Sequence, residues 1–266
     1  MNQQININMH NELQPKSEKK TRKELPCYGY IDGMTVDVPK VLKYLEDNNL
    51  LNFKEYNDIH LSNGGNFEGY VRAHEHVQNN YFKDADTPSL EGDKFRQIQL
   101  TQFDTSKSKG LPDIKPTTEL ERQKRLDPNS PNYLPEADEY NYGIRGPLVK
   151  GVLEEILDMF KGKITRARLA YLGCGHEIKP HYDYDTAYIT RYHIALLTKP
   201  EVKFFTKRGG HVFERHFPAD GRVYFLNAGY VHWVKNDSDG PRLHLIIDCA
   251  EQYDLDGLVS LDEEIA

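Results

Sequence analysis

Apolar positions along the chain follow two regimes. Asp37 and Pro39 open a stretch in which Val38, Val41, Leu42 and Leu45 recur on one helical stripe. Pro147 opens a second helical pattern, with Leu148, Val149, Val152, Leu153, Ile156, Leu157 and Phe160 on one face and Gly162 after its end. Beyond Gly162 the period becomes that of strands. The runs ITRARLAYL (164–172), ITRYHIALL (189–197), EVKFFT (201–206), HVFERHF (211–217), RVYFL (222–226), VHWV (231–234) and RLHLIID (242–248) are divided by Gly, Pro and Asn/Asp turns, the pattern of an all-β sandwich or barrel. FRQIQLTQF (95–103) alternates in part and predicts a further strand.

Between these segments the chain is polar. Residues 1–25 carry almost no aromatic or apolar pattern and are expected to form a disordered tail, its basic cluster Lys16 to Lys23 solvated. Residues 26–266 then form a single domain with its β core at about 163–250. The stretch 104–142, rich in Pro, Lys, Asp and Asn, is a long excursion that reads equally as a lid over a site or as a connector, with a short helix at Glu119 to Arg125. A net charge of -7 argues against a nucleic-acid surface. No apolar run approaches the length of a membrane span, and no secretory signal opens the chain. Cys27, Cys174 and Cys249 are scattered and odd in number, which fits a reducing, cytoplasmic setting better than a disulfide framework.

The chemistry concentrates in GHEIKPHYDYD, Gly175 to Asp185. In a strand, residues i and i+2 point the same way with Cα atoms roughly 6.5 Å apart, so His181 and Asp183 can converge on one ion. Asp185, about 13 Å from His181 along an extended strand, is too far to share it. His176 and Glu177 read as turn residues ahead of the ligand strand. Downstream, GRVYFLNAGYVHWVKN (221–236) places His232 on a strand after a Gly-containing turn. Two His and one carboxylate are the facial set typical of non-haem Fe(II). The two runs also resemble the paired motifs of the cupin superfamily, with Asn227 where Pro is usual. Arg242 follows the turn NDSDGP. In a hairpin across that turn it pairs near Asn236, about 13 Å from His232. A guanidinium there suits the far carboxylate of a small dicarboxylic acid chelating the metal.

RARLAYLGCGHEIKPHYD, RYHIALL and GRVYFLNAGYVHWVKNDSDGPRLHLIIDC occur in the order found in the aspartyl/asparaginyl β-hydroxylase family of Fe(II)/2-oxoglutarate dioxygenases, which also includes bacterial free-proline hydroxylases. The last third of the chain resembles that family. The resemblance implies a mainly β fold, a double-stranded β-helix (jelly-roll, cupin) core with flanking N-terminal helices. It implies iron on His181, Asp183 and His232, with 2-oxoglutarate held by Arg242 and helped by Arg191 and His193. Mammalian aspartyl hydroxylases lack the acid ligand, so Asp183 places the chain nearer the bacterial small-substrate branch; the short stretch after Cys249, where proline hydroxylases carry a helical lobe, points the other way. The expected activity is hydroxylation of an unactivated C–H of an amino acid, free or in a peptide, with O2 as co-reactant. The alternatives are a cupin isomerase or dioxygenase not using 2-oxoglutarate, and a non-catalytic binding module.

Tyr182, Tyr184 and Trp233 flank the ligands and Arg168 lies on a strand leading into the site, all candidates for the substrate pocket; for Trp233 core packing serves equally well, and for Arg168 the alternative is an ion pair with an acid. His244 and Asp248 share the face of Arg242 by alternation, His244 reading as a satisfied core histidine. His74-Glu75-His76 reads as a solvated loop. Nothing in the sequence sets the oligomeric state.

Overall fold

The computed structural model describes residues 19–52, 95–107, 128–131, 133, 135 and 138–262. The strands are β1 (Tyr28–Thr35), β2 (Phe95–Gln99), β3 (Thr101–Gln102), β4 (Ile144–Arg145), β5 (Ile164–Leu172), β6 (Glu177–His181), β7 (Thr190–Leu197), β8 (Val202–Arg208), β9 (His211–Arg215), β10 (Arg222–Leu226), β11 (Val231–Asn236), β12 (Arg242–Cys249) and β13 (Leu258–Ser260). They build a seven-stranded sheet in the order β13-β1-β10-β7-β12-β5-β2, a four-stranded sheet β6-β11-β8-β9, and the pair β3-β4. All pairings are antiparallel. From β5 onward the chain passes from the large sheet to the small one and back, with β8 and β9 as the one consecutive pair in the small sheet. This winding is a double-stranded β-helix, and the fold is mainly β as expected. Gly209 and Gly210, at φ +58° and +86°, make the β8–β9 turn, a conformation that non-glycine residues rarely adopt at two successive positions.

Strand alternation sorts the two faces of the large sheet. Leu243, Leu245, Ile247 and Cys249 of β12 pack outward with Leu169, Ile194 and Phe225 against the helices α1 (Val38–Asp47) and α2 (Val152–Asp158). Asp37 caps α1 by accepting from the Lys40 N–H at 3.0 Å. Helix α2 is shorter than the apolar stripe predicts: Gly151, at φ +54°, breaks the pattern, and Pro147 to Lys150 lie ahead of the helix, Pro147 and Leu148 in a turn. The inner face packs Leu172, Ala195, Tyr224 and Leu226 against Val202, Phe204 and Val234 of the small sheet. Between these apolar residues the inner face carries buried Arg168, Arg191, His193, Arg242, His244 and Asp248.

Two expectations are corrected. β11 and β12 do not form a hairpin. The turn 237–241 carries the chain between sheets, and β12 pairs with β5 and β7 instead. Buried Asn236 anchors the crossing, its amide donating to the carbonyls of Leu172, Gly173 and Gly240 at 3.1, 3.0 and 2.9 Å. Residues 19–25, expected in the polar tail, lie against the body, where Lys19 Nζ donates to Ala250 O at 2.7 Å and buried Leu25 joins the core. Residues 1–18, the helix expected at 119–125 and His74-Glu75-His76 lie outside the described residues. Among the described residues no helix is long and apolar enough to cross a membrane.

Candidate metal centre

Neighbouring strands β6 and β11 set His181 directly opposite His232, with ring centroids 4.4 Å apart. Each ring places Nδ1 on a backbone carbonyl two residues earlier, His181 on Lys179 O at 2.7 Å and His232 on Tyr230 O at 2.9 Å. A carbonyl only accepts, so both Nδ1 atoms carry the proton and both Nε2 atoms keep their lone pairs. Asp183 lies just past the end of β6, where its N–H donates to Ala228 O at 2.9 Å. The continuous strand predicted for His181-x-Asp183 therefore stops at the histidine, and the loop bend brings the carboxylate over. Ligand-type atoms of His181, Asp183 and His232 all lie within 4.8 Å of one another. Asp185 is engaged elsewhere, accepting from the N–H groups of Ala187 and Arg22 at 3.0 and 3.2 Å.

The donor set is electrostatically prepared for a cation. Burial opposes the charge of Asp183, but the Arg191 guanidinium on its Oδ2 holds the carboxyl well below the usual range. Burial, then the neighbouring His181, push His232 down to about 4, so its ring is neutral at pH 7. Two imidazoles fixed through Nδ1 beside a carboxylate suit a borderline divalent metal.

Behind this set runs a buried network. Arg191 donates from Nε and Nη2 to Asp248 at 2.7 and 3.2 Å and from Nη1 to Asp183. Arg168 Nη1 meets the same Asp248 at 2.7 Å. Three of its five N–H donors thus go to carboxylates, and the residue buttresses Asp183. Arg168 likewise takes the ion-pair reading. Glu139, from the 3₁₀ turn Glu139–Asn141, lies buried beside Asp248; burial first, then the Asp248 charge, push its carboxyl up to about 8. Asp138 beside it accepts from Tyr133 Oη at 2.7 Å and from the Tyr188 hydroxyl. The described end of the 104–142 excursion is therefore built into the site. Adjacent acids in a Pro/Asp-rich stretch gave no local signal of burial.

Farther along the inner face, Arg242 is 1 % exposed and lies over the Phe204 ring at 5.2 Å, its Nε and Nη1 without hydrogen-bond partners. His193 and His244 adjoin it with Nδ1 atoms 3.3 Å apart and both Nε2 atoms unpartnered. One Nδ1 must donate and the other accept, so one ring presents a bare Nε2 and the other an Nε2–H. Burial and then the Arg242 charge keep both rings well below the usual histidine range. His244 is thus buried but not satisfied, contrary to the core reading.

The tyrosine and tryptophan candidates separate. Trp233 alternates with His232 and stacks on Phe205 at 5.1 Å on the outer face of the small sheet, so it does not line the pocket. Tyr182 is 44 % exposed. Tyr184 packs on Tyr188 at 4.8 Å, which packs on Tyr140 at 4.7 Å beside the Asp138 turn.

Residues 138–252 match the family model described as Aspartyl/Asparaginyl beta-hydroxylase. The resemblance read from the sequence holds over that region, which includes every group of the candidate centre. No curated protein matches the chain. Among solved structures, the capsular polysaccharide assembling protein CapF from Staphylococcus aureus aligns at 14% identity over 37% of this chain and 26% of its own, TM-score 0.27. Oxalate decarboxylase from Bacillus subtilis aligns at 21% identity over 36% of this chain and 23% of its own, TM-score 0.28. The chain spans about a quarter of the length of each. The family match and the His/Asp/His set together support a metal-dependent enzyme.

Proposed function

We propose that the chain is an Fe(II)- and 2-oxoglutarate-dependent dioxygenase that hydroxylates an unactivated C–H of an amino acid, free or within a peptide. The observation that carries this reading is Arg242, a buried guanidinium with two unpartnered nitrogens on the same inner face as the groups behind the His181–Asp183–His232 set. A buried charge without a partner is costly unless a ligand supplies one. A dicarboxylic acid does so, one end on the metal and the other on the guanidinium fork. A cupin isomerase that used the same metal alone would leave Arg242 uncompensated.

His181, Asp183 and His232 would hold the iron, and three protein ligands leave positions for cosubstrate and O2. Iron with 2-oxoglutarate and O2 supplies the oxidant for C–H hydroxylation, with succinate and CO2 as co-products. The chain's own groups do the rest. Arg191 holds Asp183 in place and anionic. The His193–His244 pair offers an N–H and a lone pair between the sheets. Arg168, Asp248 and Glu139 form the polar wall behind Arg191. Unpaired thiols at Cys27, Cys174 and Cys249 suit a reducing, cytoplasmic setting.

The test is Fe(II)-dependent succinate release from 2-oxoglutarate across a panel of free amino acids and short peptides, for wild type and Arg242→Ala. Stimulated turnover in wild type, lost in the variant, is expected. Metal binding with no succinate from any substrate would overturn the 2-oxoglutarate reading.

A further inference from the structure

We infer that residues 19–26 form a strap that positions the two loops presenting the metal-binding groups, with Arg22 and Asn227 as its positioning residues. The inference rests on His181, Asp183 and His232 holding the metal.

Asp183 lies in the loop between β6 and β7, and His232 follows the loop between β10 and β11. The loops meet where the Asp183 N–H donates to Ala228 O. Arg22 grips both sides of that junction. Its backbone N–H donates to Asp185 Oδ1 at 3.2 Å and its Nη1 to Gly229 O at 2.7 Å. Gly229 is where the three backbones converge: an added Cβ would lie 3.1 Å from Arg22 Cβ and 3.2 Å from Asp185 Cα. Lys20 extends the contact, its carbonyl accepting from Thr186 Oγ1 at 3.1 Å and Gln252 Nε2 at 2.7 Å.

The anchor is Asn227, the residue standing where the resembling motif has Pro. It is fully buried, and its Nδ2 donates toward the carbonyls of Arg22, Pro26 and Leu25 at 2.9, 3.1 and 3.4 Å. A proline has no donor to offer there. The departure from the motif and the ordered segment 19–26 therefore explain each other. The Arg22–Asp185 charge pair, Nε to Oδ2 at 3.7 Å with both side chains more than a third exposed, adds little. The hydrogen bonds to Gly229 O and from Asn227 carry the strap.

Groups that orient metal ligands from outside the coordination set typically change affinity by about 10–100-fold when removed. The test uses the full chain with Co(II) as a visible probe of the centre, in wild type, Arg22→Ala, Arg22→Lys, Asn227→Ala and, as site control, His232→Ala. Arg22→Ala is expected to raise the Co(II) Kd about tenfold and alter the d–d bands at an unchanged urea midpoint. Arg22→Lys, which still reaches Gly229 O, is expected to recover part of the loss. Asn227→Ala is expected to weaken Co(II) binding at least as much. If Arg22→Ala binds Co(II) like wild type, or loses affinity only in proportion to lost stability, the strap does not position the centre and the inference fails. If wild type and His232→Ala bind Co(II) alike, the metal assignment itself fails and takes the strap's role with it.

Discussion

Replacing Arg242 with Met separates two contributions that usually move together. Arg242 Nε and Nη1 are buried without partners, and each such donor costs about 1–3 kcal/mol. The contact with the Phe204 ring at 5.2 Å returns about 2 kcal/mol. Methionine keeps much of the stem volume and removes the charge, so the ligand-free protein should gain about 1–3 kcal/mol. In a chain of this size that is a rise of roughly 2–10 °C in Tm. Binding moves the other way. Loss of two charge-assisted hydrogen bonds to a carboxylate, at about 1.5–3 kcal/mol each, should make 2-oxoglutarate bind roughly two to four orders of magnitude more weakly. Thermal melts with and without 2-oxoglutarate, alongside calorimetric titration of the metal-loaded protein, read both numbers. A variant that melts lower without ligand, or that binds 2-oxoglutarate as wild type does, would refute the reasoning, because Arg242 would then be a structural cation.

Asp183→Asn should weaken Fe(II) or Co(II) binding by at least tenfold, whereas Asp185→Asn should leave the carboxylate ligand intact and cost threefold or less; equal losses in metal titrations would remove the distinction between the two acids. Glu139 is expected to make stability fall with pH. Its folded value, about 8, lies above the ordinary carboxyl value of 4.5, so its stabilisation is complete below 4.5 and is lost as pH rises toward 8, with a slope of at most about 1.4 kcal/mol per pH unit. Urea midpoints of wild type and Glu139→Gln across pH 5 to 8 check this, and parallel curves would refute it. Trp233→Leu should lower stability by about 1 kcal/mol through the lost Phe205 stack while leaving the KM for substrate within twofold, as expected of a residue on the outer face; a large KM change at unchanged stability would return it to the pocket.

What the sequence disclosed follows the range of its signals. Strand alternation and turn residues are local, so β5, β10 and most of the ligand-bearing strands could be placed within a residue or two. The His181–Asp183 pair was legible because its spacing is short, and His232 because it follows a Gly-containing turn on a strand of its own. The hairpin assigned to 231–248 failed because a two-sheet winding separates consecutive strands, and a turn does not announce which sheet the next strand joins. The Asp248–Arg191–Asp183 chain and Glu139 were beyond reach for the same reason. Their partners are 57, 8 and over 100 residues apart and are joined only by sheet register and an inserted turn. Arg22 lay in a segment whose composition reads as solvated, and only the fold supplies the carbonyls and the carboxylate that hold it.

The charge balance of the inner face adds a reason for the spatial split. Three buried guanidinium groups, Arg168, Arg191 and Arg242, meet two carboxylates, Asp183 and Asp248, since Glu139 holds its proton at neutral pH. Arg168 and Arg191 share Asp248, and Arg191 also serves Asp183. Arg242 stands at the opposite end of β12 from Asp248, out of reach of either acid. Had the excess cation lain beside Asp248, the network would have absorbed it and no anion would be needed. Its separation leaves one uncompensated charge next to two histidines that burial keeps neutral. On the proposed reading an anionic cosubstrate end at that point would complete the balance, and a protein that tolerates the deficit without it should be stabilised by 2-oxoglutarate together with metal, by about 2.7 kcal/mol at a hundredfold excess over Kd.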